Sequence, residues 1–367
     1  MRRRTPSGVH HAKPVRVAPP FLPYACPVTP AELSRTVLRS VRGAVAEREL
    51  SVPVPARIVV QAPPRPGCGD YASNVALQLA QQAGRPAREV AEILRRRLAG
   101  SAGIARVEIA GPGFLNFTLG DGASAGLVAD VLARGERYGQ APESGAATGA
   151  GPGRIVETPA SPAGDWARAR ASVVGEVLDR LGRAAAKPQR PADAQEDELA
   201  RLVARLGTDE ARWVLLRPAA HDPVRAPQRP VQHEDNPRFR VQYAHARARA
   251  MVRNAGELGF VGEPGDVTTA DAGHGDVQVL QALEGRLAAY PTVVATAARR
   301  CAPDRVVRHL EVTADAYLRW QEEFWPLPVG EQKPLAVHRA RVALAEATGT
   351  VLGNGLRLLG ISAPEHV

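Results

Sequence analysis

The pattern of hydrophobic and polar positions divides the 367-residue chain into a first part of mixed periodicity and a second part that is helical. In the first part, apolar residues at helical spacing alternate with short segments of period two, which predicts an α+β domain over residues 29–121. The predicted elements are helices over 29–48, 73–83 and 86–98 and strands over 57–61, 105–110 and 114–119. In the last strand, alternation places Leu115, Phe117 and Leu119 on the core face.

The second part, residues 196–367, is helical almost throughout and predicts a helical bundle with short connections. Pro291, Pro303 and Pro334 are expected at helix starts, because proline fits the first turn of a helix and breaks its interior. Within this part, residues 236–256 predict an amphipathic helix whose apolar stripe consists of Val241, Ala244, Ala248, Met251 and Val252.

The region between the two parts contains a candidate nucleotide site. Residues 122–152 predict a helix and a Gly/Ala-rich linker, and residues 153–195 predict a short strand, a Pro/Gly turn, a helix that opens at Asp165, and a second linker. A helix N-terminus after a strand and turn is the layout in which backbone N–H groups meet phosphate. Asp165 is instead suited to cap the helix itself, which would take the N–H groups that a phosphate needs.

The charge balance favours a polyanionic partner. The chain has 47 Lys and Arg against 38 Asp and Glu, a formal net charge of +9, and nucleic acid is the common polyanion for such a protein. Only Lys13, Lys187 and Lys333 are lysines, so a GC-rich coding sequence is a second explanation of the arginine excess. Residues 1–28 are basic without the apolar segment of a secretory signal, and predict a disordered leader on a cytoplasmic protein with no membrane partner.

Metal and cofactor chemistry is not indicated. Cys26, Cys68 and Cys301 are far apart and form no CxxC pair, and the nine histidines show no HExxH or HxH spacing. We therefore expect no metal ligands, no cofactor and no set of catalytic residues.

Two groups of residues are candidates for RNA contact. Phe114 and Asn116 alternate away from the core face of their strand, where they could stack on and hydrogen-bond an unpaired base; the alternative is that Tyr71 and Phe114 pack under neighbouring helices. In the amphipathic helix, Tyr243 and Arg247 follow Arg240 on one face at spacings of three and four; the alternative is an ordinary solvated arginine face.

Three stretches resemble one family. GDYASNVALQLA (69–80) and GPGFLNFTL (111–119) resemble the N-terminal additional domain of arginyl-tRNA synthetases, which touches the tRNA elbow. TDEARWVLLR (208–217), DNPRFRVQYAHARARA (235–250) and the tail from Leu327 to Val367 resemble the DALR-type anticodon-binding domain of that family. The resemblance covers about three quarters of the chain in family order.

The resemblance implies a tRNA partner, with arginine tRNA expected, held at two points. The residues that it suggests for the elbow side are Tyr71, Asn74, Phe114 and Asn116, and those for the anticodon side are Tyr243, His245, Arg247 and Trp320. The chain departs from the family at its last residue, which is Val367 where the family usually has Met, and this difference leaves the choice of tRNA open.

The resemblance also implies that catalysis is lost. In the family, a doubly wound class I domain between the two tRNA-binding parts carries a His-x-Gly-His signature at a helix N-terminus. Alignment of the helix after the Pro/Gly turn places Asp165, Trp166, Ala167 and Arg168 at those four positions, so both histidines are replaced. Only residues 183–195 separate this helix from the bundle, whereas a further βαβ unit needs about 30 residues.

The middle segment is thus expected to be a remnant β-α unit with a vestigial nucleotide site. The Lys-Met-Ser-Lys-Ser loop of the family is absent as well. Trp166, Val173, Val174, Val177 and Leu178 are then expected to serve packing.

Three functions stay open at this stage. The first is a catalytically inactive relative of arginyl-tRNA synthetase that binds tRNA. The second is an arginine–tRNA ligase whose activity is retained or supplied with a partner chain. The third is a regulatory module that binds the true synthetase.

Overall fold

The computed structural model describes residues 30–61, 63, 69–101, 103–120, 122–140, 166–182, 192–229, 233, 235–268 and 276–367. The predicted basic leader, the capping residue Thr29, the strand expected after Gly153 and Asp165 lie outside these residues. Within them the predicted fold class is confirmed, since a small α+β unit precedes a helical bundle and each has its own apolar core.

The N-terminal unit is a three-stranded antiparallel sheet with helices packed on it. Its elements are α1 (Pro30–Ala46), β1 (Tyr71–Ser73), α2 (Val75–Ala83), α3 (Ala87–Leu98), β2 (Ile104–Ala110) and β3 (Phe114–Leu119), and the strand order is β1-β3-β2. The predicted strand over 57–61 is wrong in extent, because only Gln61 forms a bridge, to Ala72. The stretch itself contains no proline, but Pro53, Pro55 and Pro63 flank it, and proline lacks the N–H donor that would extend a ladder at either end.

The sheet buries the face that the alternation of β3 predicted. Leu115 and Phe117 are fully buried against Leu33, Val37 and Val41 of α1, whereas Leu119 at the strand end is half-buried. The core of this unit therefore lies between β3 and the three helices.

The turn into β1 depends on Gly69. Its φ of 84° is in the left-handed region, and a β-carbon there would lie 2.7 Å from the Phe117 carbonyl oxygen. This close approach lets the backbone N–H of Asp70 donate to the Phe117 carbonyl at 2.7 Å, while the Asp70 carboxylate accepts from the Leu119 N–H at 2.7 Å. The Gly-Asp pair thereby joins β1 to β3.

The helical bundle contains the long C-terminal helices and also α4 and α5, the two helices of the middle region. Its elements are α4 (Ala123–Arg134) with a 3₁₀ turn over Gly135–Arg137, α5 (Ala167–Arg180), α6 (Ala192–Leu206), α7 (Thr208–Leu216), α8 (Pro237–Glu257), α9 (Val277–Arg300), α10 (Asp304–Glu323) and α11 (Ala336–Leu359). Asn236 and Asp276 cap α8 and α9, each accepting a hydrogen bond from the second backbone N–H of its helix.

Both middle-region helices contribute to the core of the bundle. Val131 of α4 and Val173 and Val177 of α5 are fully buried in the same cluster as α8, α9, α10 and α11. Trp166 is half-buried against that cluster, and Val174 and Leu178 are buried in it, so the predicted packing role of these residues is confirmed. The α5 helix is therefore a structural member of the bundle.

The prediction that Pro291 starts a helix is wrong, whereas Pro303 does precede α10 directly. Pro291 lies inside α9, where it cannot donate to the carbonyl four residues earlier, that of Leu287. The Tyr138 hydroxyl donates to this carbonyl at 3.0 Å instead, and its ring stacks on Tyr290 at 6.2 Å. A side chain from the end of α4 thus satisfies the acceptor that the proline leaves free.

A polar contact joins the two units at the start of α9. Gln281 of α9 donates to the Asp70 carboxylate at 3.2 Å, and within the bundle the Ser124 hydroxyl of α4 donates to Glu284 of α9. Burial raises the pKa of Glu284 to about 7, against the opposite effect of the Ser124 hydrogen bond, and the charge of Asp70 adds to the increase. The junction thus places two acidic side chains close to one another.

Replacement of Tyr138 by Phe should destabilise the protein. The Tyr138→Phe change leaves the Leu287 carbonyl buried without a donor, so the free energy of unfolding should fall by about 1–2 kcal/mol in urea denaturation. Tyr317→Phe is the matched control, because the buried Tyr317 hydroxyl has no hydrogen-bond partner within the described residues. Its free energy of unfolding should stay unchanged or rise, and equal losses in both variants would contradict this account.

Candidate nucleic-acid interface

The outer face of the N-terminal sheet carries an exposed aromatic side chain. Phe114, at the start of β3, is 41% exposed. The antiparallel register pairs Ser73 with Leu115, and its continuation by one residue places Asn74 opposite Phe114. Asn74 is exposed, and its side chain does not cap α2 although it stands at the cap position. Phe114 and Asn74 therefore lie on one face with free aromatic and amide groups.

Asn116 is not exposed, contrary to the sequence expectation. It lies in the central strand between Ala72 of β1 and Glu108 of β2 and is only 8% exposed, because both neighbouring strands flank it. Its amide makes no hydrogen bond with any other part of the chain that the structure describes. Asn116 thus lies on the same face of β3 as Phe114 but is covered by its neighbours.

Tyr71 packs as the alternative interpretation predicted. Its ring is half-buried against the N-terminal core, and burial raises the pKa of its hydroxyl above the usual range for tyrosine, with Asp70 adding to the increase. The packing alternative therefore holds for Tyr71 and not for Phe114.

Trp320 was predicted as an RNA contact, but it is fully buried. Its ring lies between Tyr317 at 5.9 Å and Phe324 at 6.1 Å in the bundle core. The signal was present in the sequence, because Trp320 continues the helical stripe of Val306, Leu310 and Tyr317 on α10. It has no surface with which to contact a base.

His245 is also buried, at 4% exposure, and this too corrects the sequence expectation. Its Nδ1 lies 2.9 Å from the Pro364 carbonyl oxygen, so the ring holds the C-terminal tail against α8. Burial lowers the pKa of His245, which favours the neutral ring. Gln242, one turn earlier, donates to the Ser362 carbonyl at 2.9 Å. These two polar side chains of α8 therefore hold the C-terminal tail in place.

Tyr243 and Arg247 do form a partly accessible patch on α8. Phe239 stacks on Tyr243 at 6.2 Å, and the Arg247 guanidinium lies 5.6 Å from the centre of the Tyr243 ring. Arg247 also donates to the Tyr243 hydroxyl at 3.0 Å and to Gln321 at 2.9 Å, which fixes its orientation. Sequence reasoning missed Phe239, although its spacing of four from Tyr243 was a signal. Arg240, which the sequence placed on the same face, is not part of this patch, because its guanidinium pairs with Asp315 of α10 at 3.0 Å.

The N-terminus of α5, where the sequence predicts a vestigial nucleotide site, is contacted by a carboxylate of the chain itself. Ala167 begins α5 and Trp166 stands at its cap position. Glu198 of α6 accepts from the Ala169 N–H at 3.3 Å and pairs with Arg168, whose Nη2 lies 3.0 Å from Glu198 Oε1. Sequence reasoning expected Asp165 in this role and could not find Glu198, which is 29 residues away from Ala169.

This arrangement disfavours phosphate at α5. A carboxylate already accepts from one first-turn N–H, that of Ala169, and the Arg168 guanidinium that could bind a phosphate is engaged by the same carboxylate. Arg205 lies 5.3 Å from the centre of the Trp166 ring, so the cap residue is packed as well.

The described residues contain no group of three or more His, Cys, Asp or Glu that could hold a metal ion. None of the helices described is long and apolar enough to cross a membrane.

The family comparison identifies both units. Residues 35–119 match the family model Arginyl tRNA synthetase N terminal domain, and residues 241–367 match the DALR anticodon binding domain. Two regions of the chain are therefore similar, in this order, to two domains of arginyl-tRNA synthetases.

The similarity to individual curated proteins covers only part of their length. The Arginine–tRNA ligase of Paenarthrobacter aurescens is 44% identical over 172 residues, which are 46% of this chain and 30% of that ligase. The ligase of Pseudarthrobacter chlorophenolicus is 41% identical over 172 residues, 46% of this chain and 31% of its own length. The chain thus spans about 30% of the length of these curated relatives.

A solved structure shows the same fold. The Thermus thermophilus arginyl-tRNA synthetase aligns with a TM-score of 0.54 over 92% of this chain and 100% of that chain. At 12% identity this similarity concerns the fold alone.

Removal of Glu198 should weaken the docking of α5. Glu198→Ala should lower the free energy of unfolding by about 1 kcal/mol, the usual cost of losing a helix cap, and Glu198→Gln should cost less because its amide oxygen still accepts from Ala169. The control is Glu331→Ala, an exposed position in the loop before α11. Urea denaturation measures all three, and a Glu198→Ala loss no larger than that of the control would contradict the capping role.

Proposed function

We propose that the chain binds tRNA, with arginine tRNA as the preferred ligand, and does not aminoacylate it. The observation that carries the proposal is the presence of both matched domains on one chain, each with an accessible aromatic and polar patch. We further propose that it acts in the cytoplasm.

Each patch has the chemistry of single-stranded RNA recognition. Phe114 offers a ring for stacking, while the exposed Asn74 offers an amide for the edge of a base. On α8, the Tyr243 ring and the Arg247 guanidinium combine a stacking surface with a cation. The elbow of tRNA is the proposed ligand of the first patch and the anticodon loop that of the second.

Simultaneous binding at two points would compensate for weak individual contacts. Two contacts with one rigid ligand make the second binding event intramolecular, so the overall affinity can rise by about 10² or more. The contact of Gln281 in α9 with Asp70 of the N-terminal unit supports a fixed relation between the two patches. The formal net charge of +9 favours the encounter with RNA.

The α5 helix supports the proposed absence of catalysis. Its N-terminus contacts Glu198, and its apolar side is buried in the bundle. Between the end of α5 at Arg180 and the start of α6 at Ala192 there is too little chain for another βαβ unit, which needs about 30 residues. A nucleotide-binding sheet has no place there.

Binding of tRNA should be electrostatic in large part and should depend on Phe114. With about five phosphate contacts, the logarithm of the binding constant should fall against that of salt concentration with a slope of about −4 to −5.

Phe114→Ala should weaken binding about 5-fold to 150-fold through the loss of one stacked base. Val54→Ala, at another exposed apolar position of the same unit, is the control.

Filter binding across a salt series measures both quantities. Absence of tRNA binding at low salt would refute the proposal and favour a module that binds the true synthetase. Equal affinity of the Phe114 and Val54 variants would remove the first patch from the interface.

The purified chain should not catalyse ATP–pyrophosphate exchange with arginine, with or without tRNA. The double change Asp165→His and Arg168→His should restore no exchange, because Glu198 still contacts the α5 N-terminus and the described residues contain no sheet beside that helix end. Robust exchange by the unmodified chain would overturn the proposed inactivity, and a full-length arginine–tRNA ligase assayed in parallel is the positive control.

A further inference from the structure

The positive charge of the chain is concentrated in its first residues. Residues 1–46 contain eight Lys or Arg and one acidic residue, Glu32, whereas residues 47–367 contain 39 Lys or Arg and 37 Asp or Glu. Most of the formal net charge of +9 therefore comes from the first eighth of the sequence. The electrostatic footprint expected of a protein that binds a polyanion thus lies in this segment.

The part of this segment that the structure describes is α1, and three exposed arginines lie on one side of that helix. Arg35, Arg39 and Arg42 are spaced by four and three residues, so they follow one another along one face. Val37 and Val41 lie on the other side of α1 and are fully buried in the N-terminal core. The three side chains, called the arginine row below, therefore point to solvent.

The arginine row is not neutralised by the carboxylates near it in sequence. None of its members forms an ion pair with any residue that the structure describes. Glu32, in the first turn of α1, has another interaction. Beyond the end of α1, Glu47 and Glu49 both pair with Arg97 of α3, and the Arg97 Nε lies 2.6 Å from Glu49 Oε2. The row thus presents three free positive charges.

The chemistry of α1 fits phosphate better than it fits bases or lipid. The helix contains no aromatic residue, and its Leu and Val side chains are buried or half-buried. Single-stranded RNA is recognised largely by stacking of its bases, whereas a duplex presents phosphates and 2′-hydroxyls. A helix that lies on a membrane needs an apolar face for the headgroup region, and the apolar face of α1 is in the core. Charge without a stacking or apolar surface is typical of backbone binding.

We propose that the arginine row of α1 binds the phosphate backbone of an RNA duplex without reading its sequence. This surface is separate from the Phe114 patch. Val37 and Val41 of α1 share one core with Leu115 and Phe117 of β3, and the row and Phe114 both point away from that core. The two surfaces therefore lie on opposite sides of the N-terminal unit. The choice of RNA among polyanions rests on the proposed function, whereas the position of the site rests on the charges of α1.

Replacement of the row by glutamine tests the proposal with little effect on the helix. The triple variant Arg35→Gln, Arg39→Gln and Arg42→Gln removes three charges, and glutamine is about as favourable in a helix as arginine. The probe is an RNA duplex of arbitrary sequence and about 16 base pairs, the span of a typical duplex-binding domain. Filter binding across a salt series should show an affinity at least about tenfold lower at low salt and a salt slope shallower by about two to three.

Two control variants separate the site from general effects of charge and folding. Arg300→Gln, Arg305→Gln and Arg319→Gln together remove the same charge from exposed positions of the bundle and should leave most of the slope intact. Replacement of the whole row by lysine should keep the slope, because the positive charge alone attracts the phosphate. Far-UV circular dichroism compares the helix content of all the variants.

The outcomes separate this inference from the proposed function. A chain that binds tRNA but no duplex, or a glutamine variant of the row that binds the duplex as the unmodified chain does, overturns the site and leaves the proposed function standing. Equal losses in the row variant and the bundle control also overturn the site. Duplex binding that depends on the row, in a chain that binds tRNA no more tightly than the duplex, supports the site and refutes the proposed preference for tRNA.

Discussion

The structure depends on the burial of α11 along almost its whole length. Its small residues let neighbouring helices approach closely: a β-carbon at Gly355 would collide with Leu310 of α10, and one at Gly353 would lie 3.1 Å from His245 Nε2 of α8. Asn354 between them donates to the carbonyls of Gly135 at 2.9 Å and Tyr138 at 3.2 Å. One helix thereby positions α8, α10 and the end of α4 by close packing and by hydrogen bonds.

This packing decides which residues remain for a ligand. Because α8 faces α11 with Ala244, Ala248 and His245, the half-buried side of α8 next to α10 carries Phe239, Tyr243 and Arg247. The anchoring of α4 through Asn354 also places Ser124 and Tyr138 against α9. The patch on the bundle and the junction with the N-terminal unit are thus consequences of the same central helix.

The polar groups of the α5 helix are engaged by other parts of the bundle. Its N-terminal groups contact Glu198, its buried Arg170 braces the loop after α7, and the side chain of Arg212 from α7 links its Glu176 to the Leu359 carbonyl. Each of these polar groups has a partner inside the bundle. The helix is therefore a structural part of the bundle.

Local pattern alone determined much of this protein. The two classes of unit, the core face of β3, the apolar stripe of α8 and the packing face of α5 all follow from periodicity, since burial of one face forces period two or 3.6 on the sequence. The same periodicity could have placed Trp320 in the core, where the resemblance instead suggested a contact.

Only the tertiary structure decided matters that involve distant partners. Asn116 is buried because strands on both sides cover it, Pro291 is tolerated because Tyr138 supplies the missing donor, and the α5 N-terminus is satisfied by Glu198 of the next helix. The exposure of a side chain and the satisfaction of a backbone group depend on what packs against them. The sequence around each position does not contain that information, because the residues that supply it come from other elements of the fold.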